Sequence, residues 1–128
     1  MFYGEFSSAR SVCEAFAIDR IDGHILFAVY EHESYTGQAT VILVNQGKLW
    51  LVEGNHCSCY GLEDQFKPEE ISFSALLHIA ENGNGLLSQF KDKVVEALWV
   101  YETYNLAKAE PAQIDMLIKL AYTDQPQT

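Results

Sequence analysis

Basic residues are scarce. Eight Lys and Arg face eighteen Asp and Glu, for a formal net charge of −10. Grip on a bare nucleic-acid backbone rests on Lys and Arg neutralising phosphates, so this balance argues against direct nucleic-acid binding. Cysteine is sparse and odd in number, at three. The early residues also lack the basic, apolar, small-residue order of a secretion signal. The chain therefore reads as cytoplasmic, with reduced thiols and no disulfide framework. No apolar run approaches bilayer-spanning length, so no helical membrane anchor is expected. A phosphate-cradling glycine loop is missing too: Asn82-Gly83-Asn84-Gly85 has neither the lysine nor the preceding strand such a loop needs.

What is present is a globular composition, 48% hydrophobic over 128 residues, with no internal repeat or linker. That length fits one domain, residues 1–128, able to bury roughly two-thirds of its unfolded surface. The acidic excess favours basic surfaces as partners, including the nucleic-acid-binding faces of other proteins.

Taken in order, residues 1–6 read as extended or irregular. Ala9, Val12, Cys13 and Phe16 fall on one helical stripe, which predicts a helix over about residues 8–18, with Ser11 and Glu14 offering a capping pair. Asp22-Gly23 marks a turn, and three strands follow: 24–32, 38–44 and 48–53, the last two joined by the tight turn Asn45-Gln46-Gly47. Such short connections force antiparallel pairing. Both faces of each strand are apolar: Ile25, Phe27 and Val29 alternate with Leu26, Ala28 and Tyr30, and the other two strands behave alike. Either helices cover both faces, or a second subunit covers one, so a homodimer is an open expectation.

Further on, Ser72 is placed to cap a helix carrying Phe73, Leu76, Leu77 and Ala80, stopped at Asn82-Gly83. One long helix is expected over about 85–108, capped by Asn84, with Leu87, Phe90, Val94, Leu98 and Tyr101 buried and Val95 and Trp99 widening that stripe. Pro111 suits the first turn of a last helix, whose main face is Ile114, Leu117, Ile118 and Ala121, with Met116 and Leu120 on another. Residues 124–128 read as a frayed tail. The fold class is α+β: a three-stranded antiparallel meander with an N-terminal helix and C-terminal helices packed on it.

Chemically capable side chains crowd between the third strand and the first C-terminal helix. His56, Cys57 and Cys59 are competent metal ligands, but a structural zinc site wants two separated ligand pairs and the second pair is missing. A nucleophilic cysteine would need His56 or His78 as base, and neighbouring carboxylates raise a thiol pKa rather than lower it. Glu69 and Glu70 precede a helix start, where negative charge is favoured. A contact surface is the stronger reading: Tyr60 and Phe66, with Tyr35, are loop aromatics, and Glu63, Asp64, Glu69 and Glu70 rim them. Rings with an acidic rim suit an Arg- and Lys-rich partner.

The segment His56-Cys57-Ser58-Cys59-Tyr60-Gly61-Leu62-Glu63, followed by Gln65-Phe66 and Pro68-Glu69-Glu70, resembles a group of small phage and prophage proteins. Those proteins carry a His-Cys-Ser-Cys segment and an aromatic-x-Pro-Glu segment after a Gly-Lys-Leu hairpin like Gly47-Lys48-Leu49. The resemblance spans roughly residues 30–72. It implies a mobile-element origin, action in the host cytoplasm, and, by analogy, inhibition of host machinery. The expected function is thus a non-enzymatic, acidic protein-interaction module that blocks a basic, nucleic-acid-binding host factor such as a defence complex, in the manner of an anti-CRISPR protein. The alternative is a metal- or small-ligand-binding protein using His56, Cys57 and Cys59, with zinc as its metal; otherwise no cofactor is expected.

Overall fold

A computed structural model describes residues 1–33, 35–57 and 61–123. The protein is α+β, built on a five-stranded mixed sheet rather than the three-stranded meander expected. The meander forms its centre: β2 (His24–Glu33), β3 (Thr36–Asn45) and β4 (Lys48–His56), all antiparallel. Two further strands flank it, β1 (Phe2–Gly4) parallel to β2 and β5 (Glu69–Ile71) antiparallel to β4, in the spatial order β1-β2-β3-β4-β5. Each outer strand is three residues long. That is too short for an alternating pattern, so pairing with a neighbour decides them.

Helix α1 (Ala9–Phe16) carries the chain from β1 across to β2. It starts at Ser8, whose hydroxyl accepts from the Ser11 backbone, while Ser11 Oγ accepts from the Ser8 backbone. The expected partner Glu14 instead pairs with exposed Arg10. Val12 and Phe16 are buried beneath α1, and Cys13 is only half-buried.

The two apolar faces found in the sequence are two cores. On one face lie Phe6, Val12, Phe16, Ile25, Ala28, Ala39, Val41, Leu43, Val52 and Leu62, covered by α1 and the segment after β4. On the other lie Leu26, Phe27, Val29, Ile42, Val44, Leu49 and Leu51, covered by four helices. These are α2 (Phe73–Asn82), α3 (Leu86–Gln89), α4 (Lys91–Thr103) and α5 (Pro111–Thr123). The chain's own elements thus hide both faces, and the sheet needs no second subunit for that purpose. Alternation in β2 departs from expectation at one point. A bulge between Ile25 and Phe27 puts Leu26 and Phe27 on the same face, so Ile25 joins Ala28 instead.

The long helix expected over 85–108 is two helices, broken at Phe90 (φ −104°, ψ 32°), and its N-cap is Gly85 rather than Asn84. The break lets Phe90 reach Tyr3 and Phe27, with ring centres 5.8 and 6.3 Å away. Leu87, Val94 and Leu98 are buried as expected, but Val95 and Trp99 stand out in solvent at 39% and 49% exposure. The sheet is already covered by the stripe through Val94 and Leu98, leaving nothing for a wider one to face. In α5, Ile114, Ile118 and Ala121 are buried, and Met116 and Leu120 are exposed. Among the described residues no helix is long and apolar enough to cross a membrane. The tail 124–128 lies outside the described residues.

Candidate functional site

The segment between β4 and β5 is strapped to the sheet by side chains spaced along it. Leu62 is buried in the core under α1, and Phe66 sets its ring edge-on to Phe16 at 5.2 Å between centres. Gln65 works in both directions: its Oε1 accepts from the Asn55 backbone at 2.8 Å and its Nε2 donates to the Gly61 carbonyl at 3.2 Å. Asp64 takes a left-handed conformation at φ 64° to complete the turn. Of the aromatics expected at a contact surface, Phe66 is thus a half-buried anchor and Tyr35 is 73% exposed. Tyr60 and Cys59 lie outside the described residues.

The carboxylates divide into separate groups. Asp64 and Glu69 line a cleft of about 300 Å³ together with Leu51, Glu53, Gln65 and Lys67. Glu70 reaches Lys48 at 3.3 Å. Glu63 folds back onto the Gly61 N–H at 2.9 Å, close enough to Tyr30 to help raise that phenol's pKa. Glu53 was not picked out by sequence reasoning, because it lies within a strand and only the return of the chain at 64–69 gives it carboxylate neighbours. Among the described residues, the ion pairs engage Glu14, Asp22, Glu70, Glu96 and Asp115. Glu53, Asp64 and Glu69 take part in none of these ion pairs.

A second grouping lies on the α1 face, at the end of the sheet. The register pairs His32 with Gly37 and Gly37 with His56, so two imidazoles flank a residue without a side chain. Two rungs inward, and next on the same face, Tyr30 pairs with Ala39 and Ala39 with Gly54. Ring centres are 5.2 Å apart for His32 and His56, 5.8 Å for Tyr30 and His56, and 6.0 Å for Tyr30 and His32. His56 Nδ1 donates to the Cys57 carbonyl at 2.8 Å, which leaves Nε2 to accept from the Tyr30 hydroxyl at 2.5 Å. Burial first, then Glu5 and Glu63, pushes the Tyr30 phenol above its ordinary pKa and keeps it protonated as that donor. Only His56 of these three was singled out from the sequence.

A third grouping borders a cleft of about 570 Å³ between α1, the start of β2 and α5, which includes Cys13, His24 and Asp115. His24 Nδ1 meets Asp115 Oδ1 at 2.7 Å. The Cys13 thiol is held above its ordinary pKa by burial first, then by Asp19 and Glu14, which works against a thiolate nucleophile. The two bases considered for thiol chemistry are engaged elsewhere, His56 as above and His78 with Asn82 on its own helix. For the expected metal set, Cys57 is exposed and Cys59 lies outside the described residues. Among the described residues no three His, Cys, Asp or Glu side chains gather to hold a metal ion.

Compared with protein-family models, curated proteins and solved structures, the chain matches none.

Proposed function

We propose that this protein is an acidic interaction module that binds the basic surface of another protein. The observation that carries this reading is the cleft at the β4–β5 margin, where Glu53, Asp64 and Glu69 converge without a cationic partner within 4 Å among the described residues. Lys67 borders the same cleft, so a partner's arginine would compete with one local cation for three carboxylates. Arg presents a planar fork that two carboxylate oxygens can accept from together, which makes an Arg-rich surface the natural complement. The overall charge of −10 adds steering at long range. Resemblance to small phage and prophage proteins supports a host factor as the partner, one whose basic face otherwise holds nucleic acid. On this reading the module acts in the host cytoplasm and works by occupying that face.

The test is capture from host lysate at low salt, with the bound proteins identified by mass spectrometry, using wild type beside the triple variant Glu53→Gln, Asp64→Asn, Glu69→Gln. Wild type is expected to capture a nucleic-acid-binding protein, to release it steeply as salt rises and to compete with its nucleic acid. Equal capture by the triple variant, or capture insensitive to salt, would overturn the proposal.

A further inference from the structure

The rung through His32, Gly37 and His56 brings together two imidazoles from strands that are not neighbours. Histidines directly across one strand would ordinarily be kept apart by the side chain between them. Here that side chain is absent. A Cβ at Gly37 would fall on the His56 ring, at Nε2, Cε1 and Cδ2, so the ring occupies the space the missing side chain leaves. Tyr30, two residues before His32 on the same face, adds a phenolic oxygen beside His56 Nε2.

We propose that Tyr30, His32 and His56 bind a divalent transition-metal ion, zinc or, more tightly, copper(II). Two imidazoles sharing one tetrahedral ion, with metal–nitrogen bonds of about 2.0 Å, hold their ring centres on the order of 5 Å apart. The His32 and His56 centres stand at 5.2 Å, with planes 57° apart, before any ion is present. The tautomer is also set. Metal-bound imidazoles commonly donate their second N–H to a carbonyl, and His56 Nδ1 already donates to Cys57 O. Its Nε2 therefore carries the lone pair, shared for now with the Tyr30 hydroxyl proton. Binding replaces that proton: the ion takes the lone pair of Nε2, the phenolate oxygen and a ring nitrogen of His32, and one proton leaves to solvent. The Tyr30–His56 hydrogen bond opens to admit the ion, which the exposed His32 and half-buried His56 have room to allow.

The surroundings favour a cation. Glu5 and Glu63 lie close enough to act on Tyr30 by their charge, so two carboxylates contribute to the field an incoming cation meets. Nitrogen donors with one phenolate select zinc and copper over calcium and magnesium, which prefer all-oxygen shells. Three protein donors leave a fourth position for water or a small anion. This site shares His56 with the ligand set read from the sequence but uses neither thiol, and it is independent of the acidic cleft.

The experiment is calorimetric titration with Zn²⁺, and then with Cu²⁺, in two buffers of different protonation enthalpy, while near-ultraviolet difference absorbance follows tyrosinate. One ion per chain, about one proton released and a tyrosinate signal are expected. Tyr30→Phe, which keeps the ring, abolishes both the proton release and the tyrosinate signal. His32→Ala, at an exposed position, lowers affinity by at least about 10-fold, the scale of losing even an outer-shell partner. The double variant Cys57→Ser, Cys59→Ser binds as wild type does. The proposal fails if one equivalent of neither metal binds, if Tyr30→Phe and His32→Ala bind unchanged, or if the cysteine variant loses the ion.

Discussion

His32 and His56 stand with ring centres 5.2 Å apart although an entire strand separates theirs. What allows it is the empty position at Gly37. Between ordinary side chains the two rings would be held off each other, and the Tyr30 hydroxyl would face water instead of His56 Nε2.

Gly37→Ala therefore expels the His56 ring. The backbone there is not left-handed, so the substitution acts through space and not through φ. The ring is half-buried and can swing toward solvent, so the fold survives, but the Tyr30–His56 bond is lost at about 1 kcal/mol. A shift of the His56 imidazole resonances, with a small fall in the urea midpoint, is the expected result. Unchanged resonances would count against the rung described above.

Phe16 joins helix α1 to the strapped segment after β4. It is fully buried, faces Phe6 and Phe66, and one ring carbon, Cε1, lies near Gly54. Phe16→Ala is expected to cost about 3–5 kcal/mol, as other buried Phe truncations do. Phe66→Ala removes a half-buried ring at the margin and costs less. Urea unfolding of the two variants orders them, and a larger loss at Phe66 would contradict the packing.

Stability is expected to fall on the alkaline side. Tyr122 donates to the Leu26 carbonyl at 3.1 Å, and burial first, then Tyr3 and Glu96, raises its pKa far above the ordinary value. Tyr3, Tyr30 and Tyr101 are raised as well, each by burial first. Above the ordinary tyrosine value of about 10, the unfolded chain has lost protons that the folded chain keeps, so unfolding stability decreases as pH rises. Tyr122→Phe costs about 1 kcal/mol at neutral pH by losing its hydrogen bond, yet flattens the alkaline slope. Urea midpoints over a pH series separate the two effects.

The meander was legible because β2, β3 and β4 are nine or ten residues long and alternate on both faces, with Gly47 closing the turn at φ 75°. β1 and β5 were not, since neither Phe2–Gly4 nor Glu69–Ile71 has an apolar pattern of its own; partners across the sheet define them. The break at Phe90 was hidden for a similar reason: Leu87, Phe90 and Val94 keep helical spacing on either side, and the contact with Tyr3 and Phe27 that the break permits is made across the fold. At the candidate site, the acidic run was visible but its division was not. Glu63 turns back to Gly61, and Glu53 joins from the strand. The Tyr30–His32–His56 grouping was within reach of the sequence. Counting outward from the turns that pair Glu33 with Thr36 and Asn45 with Lys48 aligns His32, Gly37 and His56.

The three-residue outer strands have a consequence for behaviour in a crowded solution. An exposed strand edge is a template on which another chain can grow, and such growth needs a long, flat and uncharged margin. One margin here ends after Gly4, beyond which β2 continues into exposed Glu31 and Glu33. The other consists of two exposed glutamates and Ile71, with Gln65 capping the Asn55 N–H farther along. Among the described residues, neither outer strand is long or uncharged enough to serve as such a template, which works against edge-to-edge growth into fibres.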